Sequence, residues 1–434
     1  MHNSKIKLNE LLPGVIAIFL SLYAYSRSSW DTKLPFLFWM GLLFGCFVLE
    51  VVYLVFTGGK VKKDMLSILQ ITMIIIIVIW NNQSFKYESG FNHKLFVQFL
   101  LTLFFLFAIK KERWKKCCIY SMLICGVFYS IWTFAAYFNE NVFYNIIYPL
   151  VKDSIVDDYY LVQYRLGYMA GLTSHYSTNG MYLTIGVCAA IGFLVCAYRT
   201  SNIRLSKKIT SIVLVGFIFV ALLLTGKRGP VVYIVASIVV WYYYYNSDKK
   251  TTRLFKIIAF SVLVIFVLYL LSLFLPGISN VISRFEEMSE SGNVSSNRFV
   301  LWEQALRAFL GSPVVGKGWY WFKYNNTMGQ IYHVHCTYLQ WLCELGVVGS
   351  IPFFAFTYLV IKRGIYVLKS TKNNIAYTPL DKGIITCSFV FIIFFFLFNV
   401  TGTGFYEIQV LVPYIFSAAC IESYYIRDNK RTAK

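Results

Sequence analysis

The chain has 434 residues, 58% of them hydrophobic and 19% aromatic, and carries a formal net charge of +20. Soluble domains are roughly 45 to 50% apolar, so a soluble globular protein is excluded. The positive charge is not read as a nucleic-acid surface, because its distribution has another explanation.

The fold class expected is an all-α polytopic membrane protein with about twelve transmembrane helices. A hydrocarbon core ~30 Å thick takes about 20 apolar residues in a helix. Runs of that order fall at residues 11–26, 34–56, 65–80, 95–109, 117–138, 180–198, 209–225, 230–245, 257–275, 336–361, 383–400 and 406–426. The first lies behind Lys5 and Lys7 and is read as a retained helix, since no small-residue cleavage site follows it. Lys and Arg beside membrane helices collect on the cytoplasmic side. With a cytoplasmic N-terminus, 27 of the 40 basic residues fall on inner segments and 13 on outer ones. Both termini are therefore expected in the cytoplasm. The chain divides into helices one to five (1–138), a large outer loop (139–179), helices six to nine with a TGKRG turn (180–275), a second large outer loop (276–335), and helices ten to twelve with a cytoplasmic tail (336–434). Both outer loops are expected to form lobes with short amphipathic helices, because their Tyr, Phe and Trp content is unlike that of disordered segments.

Chemistry is sought among the outer charges. In the first lobe, Asp157 and Asp158 are the best candidates for a metal, but adjacent acids in a loop are usually solvated. Neither a metal nor any other cofactor is expected. Lys227 and Arg228 stand between two apolar runs in LLLTGKRGPVVYIVAS. Cations at an outer membrane boundary defy the positive-inside trend and are costly if unpaired; either they snorkel to lipid headgroups or an anion meets them. Gly226, Gly229 and Pro230 suit a tight turn there, with Pro in the first turn of the next helix. In the second lobe, NRFVLWEQALRAFLGSP reads as a helix capped by Ser296 or Asn297. Arg298 opens it, against the helix dipole, so an anion beside it is expected; pairing with Glu303 or Glu287 is the alternative. Arg284, Arg307 and Arg165 are further outer cations. His175, His333 and His335 lie at the outer face, whereas His2 and His93 look incidental. Glu344 falls within the tenth run and is either functional or bonded to a neighbouring helix. The ten Cys show no disulfide framework and no zinc spacing.

Three stretches in order, TGKRGPVVYIVAS, NRFVLWEQALRAFLGSPVVGKGW and HCTYLQWLCELGVVG, resemble elements of the bacterial O-antigen polymerase and O-antigen ligase family. Cys336 stands where that family has Asn, and YRLGYMAGLTSHYSTNG only loosely matches its earlier R-x-x-G…P-N element. The resemblance implies a GT-C-type, lipid-carrier-dependent glycosyltransferase of the inner membrane, with its active site on the periplasmic face. The implied donor is an undecaprenyl-diphosphate-linked oligosaccharide, moved as a block onto a sugar hydroxyl; a polymerase, whose acceptor is a second lipid-linked repeat unit, is favoured because the 139–179 lobe is aromatic and the earlier R-x-x-G…P-N element is eroded. It implies His335 as general base, and Arg228, Arg298 and Arg165 as diphosphate-binding residues; Lys227, Arg284, His333, His175 and Glu344 are secondary candidates. The lipid bilayer and a polysaccharide chain-length regulator are the expected partners, and nucleic acid is not. A ligase passing the glycan to lipid A core, a lipid-linked-oligosaccharide flippase, a metal-dependent oligosaccharyltransferase and a non-catalytic scaffold are the alternatives.

Overall fold

The computed structural model describes residues 65–80, 112–151, 157–200, 204–246, 251–259, 298–328, 333–372 and 374–432, with single positions between 260 and 270. Regular structure among them is helical: α1 (Met65–Trp80), α2 (Glu112–Phe138), α3 (Asp157–Arg165), α4 (Tyr176–Arg199), α5 (Leu205–Leu224), α6 (Arg228–Tyr245), α7 (Arg298–Leu310), α8 (Trp321–Asn325), α9 (Thr337–Ser370), α10 (Pro379–Thr401) and α11 (Ile408–Thr432). Five helices, including the Cys118–Phe138 part of α2, are long and apolar enough to cross a membrane; the others are α4, α5, α9 and α10, and α1 is a shorter apolar helix. The expected runs at 11–26, 34–56 and 95–109, most of 257–275, and Arg284 and Glu287 lie outside the described residues, so the expected total of twelve is not established.

At the centre, α4 packs on α2, α5 and α10. Without a hydrophobic force between helices in lipid, close backbone approach is what draws them together. Gly186 and Gly126 supply it: a Cβ on Gly186 would sit 2.3 Å from the Gly126 Cα. By contrast α5 leaves Ile209, Ile212 and Val213 exposed, a face suited to lipid.

Helix ends sort into two sets. At one end, Met169 N–H donates to Leu224 (3.1 Å), Trp319 N–H to Trp80 (2.7 Å) and Thr337 N–H to Gly402 (3.0 Å). At the other, Arg363 pairs with Glu422, Arg427 with Asp381 at 3.8 Å, and Lys115 lies 3.9 Å from the Tyr424 ring centroid. The ends expected outside meet one another, and so do those expected inside.

The expected tenth run, 336–361, is not one continuous helix. α9 is broken at Gly346 (φ 64°, ψ −171°). His335 has φ 55° and lies ahead of the N-cap, Cys336. The His335 ring is therefore held by a left-handed turn ahead of the helix.

Candidate active site

The break in α9 is built for a loop. Residues 313–318 run into it and bond both halves. Val347 N–H donates to Pro313 (2.9 Å) and Val348 N–H to Val314 (3.1 Å), while Lys317 and Gly318 N–H donate to Cys343 (3.0 Å) and Glu344 (2.8 Å). The helix groups orphaned by the break are thereby satisfied from the loop. Only glycine fits the crossing: a Cβ on Gly316 (φ 68°) would lie 2.5 Å from the Glu344 carbonyl, and one on Gly346 would lie 2.4 Å from that of Val314. This is the physical content of the Gly spacing in PVVGKGW and ELGVVG.

Glu344 secures the same junction. It is wholly buried and accepts from Tyr406 Oη (2.9 Å) and Gln340 Nε2 (3.0 Å), and from the backbone N–H groups of Tyr320 and Phe322. The reading of Glu344 as a residue bonding its neighbours is the one the geometry matches. Gln340 Nε2 also reaches His333 Nδ1 at 2.9 Å, so His333 is tied into this buried network. Thr337 fixes the far side, its hydroxyl bonding Asn399 and, at 3.1 Å, the Gly402 carbonyl.

Between these anchors sits His335, half-buried. Burial is the first cause holding its imidazole down to about 4, and the charges of Arg298 and then Lys227 add to it. At neutral pH the ring is therefore neutral and can accept a proton. The structure thus brings together His335, Arg298 and Lys227 from three separate stretches. Arg298 opens α7, and Glu303, one suggested partner, pairs instead with Arg307 at 2.5 Å. The cap residues Ser296 and Asn297 lie outside the described residues.

The TGKRG turn follows expectation in part. Gly226 has φ 65°, and a Cβ there would enter the Tyr168 ring at 2.3 Å. Lys227 is the N-cap of α6 with no side-chain cap bond, Arg228 opens that helix, and both are half-buried. Gly229 needs no special conformation; its nearest neighbour is the Tyr233 ring at 3.5 Å. Two helices, α6 and α7, therefore begin with Arg, and each adds a positive N-terminal dipole to its guanidinium.

Glu407 was not legible as a site residue. It hides at the start of the last apolar run, yet Lys227 acts on it. Its carboxylate accepts from the Thr403 hydroxyl at 2.9 Å. A lone acid opening an apolar stretch was the available signal.

Other candidates are placed differently. Arg165 is exposed at the end of α3, and among the described residues no hydrogen bond, ion pair or ring contact joins it to His335. Asp157 and Asp158 open α3, and Asp158 is exposed. No three His, Cys, Asp or Glu side chains gather among the described residues. His175 caps α4, accepting from Ser177 N–H at Nδ1 (3.0 Å). Cys336 is buried and its thiol pushed up by that burial, with the N–H groups of Leu339 and Tyr338 facing the sulfur.

A helical protein with several membrane-length helices, in which the charges of Arg298 and Lys227 act on His335, thus emerges. A family model described as O-antigen ligase matches residues 212–354, the stretch that holds the TGKRG turn, α7, His335 and the break in α9. The resemblance read from the sequence is borne out over those residues. A search of curated proteins found no match.

Proposed function

We propose that the protein is a surface-polysaccharide polymerase, transferring a glycan from a polyprenyl diphosphate to a sugar hydroxyl of another lipid-linked repeat unit. The observation that carries this is the setting of His335, a neutral imidazole beside the cations Arg298 and Lys227. Glycosyl transfer from a lipid diphosphate needs those two functions together, a proton acceptor and positive charge for the leaving group.

In the reaction, the acceptor hydroxyl gives its proton to the unprotonated nitrogen of His335, and its oxygen bonds the anomeric carbon. The bond from that carbon to the diphosphate oxygen breaks, and the electron pair leaves with the polyprenyl diphosphate. Arg298, Arg228 and Lys227 stabilise the charge that develops. No metal is part of this scheme. The donor also prepares the base: a diphosphate between the cations offsets their charge, so the affinity of His335 for a proton rises when donor is bound.

The description of the matched family as O-antigen ligase favours a second reading, transfer of the glycan to lipid A core. Purified protein supplied with polyprenyl-diphosphate repeat units separates the two. Polymerase activity lengthens the lipid-linked glycan into a ladder without any core acceptor. A product formed only when lipid A core is added would assign the ligase reaction, and no transfer in either assay would refute glycosyl transfer.

A further inference from the structure

A column of rings leads from the surface of the first outer segment toward Lys227. Tyr159 in α3, 46% exposed, stacks on His175 with centroids 5.7 Å and planes 11° apart. His175 stacks on Tyr176 at 4.3 Å and 28°. Lys227 Nζ then lies 5.7 Å from the Tyr176 centroid, and Lys227 is one of the two charges felt by His335.

Each ring is held in place. His175 Nδ1 accepts from Ser177 N–H, so a neutral imidazole carries its proton on Nε2. Nε2 faces the Tyr159 hydroxyl at 3.4 Å and is the donor in that pair. His175 is thus committed at both nitrogens and is not a second base. Its effect is on Tyr159: a ring almost half exposed is kept in one pose by a face-to-face contact and a hydrogen bond at its tip. Tyr offers a large contact area at small conformational-entropy cost, and fixing it beforehand lowers the cost of binding further. Behind it, Phe143 stacks on Tyr160 at 5.9 Å and on Tyr164, and the Tyr160 hydroxyl donates to the Gly171 carbonyl at 3.2 Å. These contacts fix α3 itself.

We propose that Tyr159, oriented by His175 and Tyr176, is a saccharide platform that holds a sugar unit of the acceptor glycan away from the reacting hydroxyl. This rests on the glycosyl-transfer reading of the His335 site. The acceptor is favoured over the donor because the donor is already positioned by its diphosphate on the cations, whereas the reacting end of the acceptor has only sugars by which to be held. A sugar ring presents an apolar face to the aromatic ring and hydroxyls to the solvent.

The test compares Tyr159→Ala and Tyr159→Trp with the wild type in the purified full-length protein, measuring KM separately for donor and acceptor. Loss of one aromatic contact is expected to raise the acceptor KM about fivefold with kcat unchanged, the donor KM to stay put, and Trp to restore binding. An unchanged acceptor KM in Tyr159→Ala, with normal transfer, overturns the platform while leaving the transferase reading intact. A shift in the donor KM alone overturns the assignment to the acceptor. If the wild type transfers nothing, the transferase reading fails. The platform is then judged by saturation-transfer NMR with the lipid-free repeat-unit oligosaccharide: contact with wild type that is lost in Tyr159→Ala supports it, and equal contact in both refutes it.

Discussion

Gly346 and Gly316 touch so closely that a Cβ on Gly346 would lie 2.6 Å from the Gly316 nitrogen. Both residues are left-handed, and the contact joins the 313–318 loop to the broken helix that follows His335. Gly346→Ala is expected to destabilise the fold by about 3 kcal/mol or more, from the clash and the strained φ together. Gly216→Ala is the control, because a Cβ there meets nothing within 4 Å. Thermal unfolding in detergent would reveal the contrast; equal midpoints for the two variants would show that the junction tolerates a side chain.

Arg298 and Arg307 share α7 but should differ in effect. Arg307 is 77% exposed in its pair with Glu303, and such surface pairs contribute little. Arg298→Ala is expected to lose at least about a hundredfold in kcat/KM, on the scale of removing a group that stabilises developing charge. Arg298→Lys should recover only part of it, since an ammonium lacks the bidentate fork. Arg307→Ala should transfer glycan like the wild type. Equal losses at the two positions would mean that α7 is merely disturbed.

How much of this was legible in the sequence depends on which physical rule governed each residue. Five membrane-length helices were visible from apolar length, and Lys227 and Arg298, whose charges act on His335, were visible as outer cations. The break in α9 was hidden, because ELGVVG lies in an unbroken apolar run and its bonds go to residues 313–318, about thirty positions earlier. Glu407 was hidden for a related reason: Lys227, whose charge acts on it, is remote in sequence, and the lone acid opening an apolar stretch was the one local sign. His175 was visible as an outer His, but only its Nδ1 bond to Ser177 shows it to be a cap.

Cys336 caps α9 where the related family has Asn. A thiol is a weak acceptor, whereas Asn is among the best N-cap residues. Cys336→Asn is therefore expected to stabilise the protein by about 1 kcal/mol and to preserve transfer. Unfolding midpoints and turnover measured on the same preparation would check it; a large loss of stability would mean that the buried pocket accepts sulfur for its apolar character.

The setting of His335 predicts a split between two pH profiles. In the free protein its imidazole is held to about 4 by burial, Arg298 and Lys227, so kcat/KM should fall only as pH drops through that region. With donor bound the cations are offset, and kcat should fall at a higher pH, nearer the ordinary value of about 6.5. The same shift acts on stability with a definite sign. Because the folded value is lowered, the contribution is fully present above about 6.5 and is lost as pH falls from there toward 4. Coincident kcat and kcat/KM profiles would separate His335 from the diphosphate site.

The most direct test of His335 as the base is single-turnover transfer from purified polyprenyl-diphosphate repeat unit by His335→Asn. Asn tolerates the left-handed turn at φ 55°, so this variant keeps the fold while removing the imidazole. The expected result is normally folded protein whose transfer step is slower by about a hundredfold or more, the scale of a lost general base. Transfer at the wild-type rate by folded His335→Asn would contradict the account.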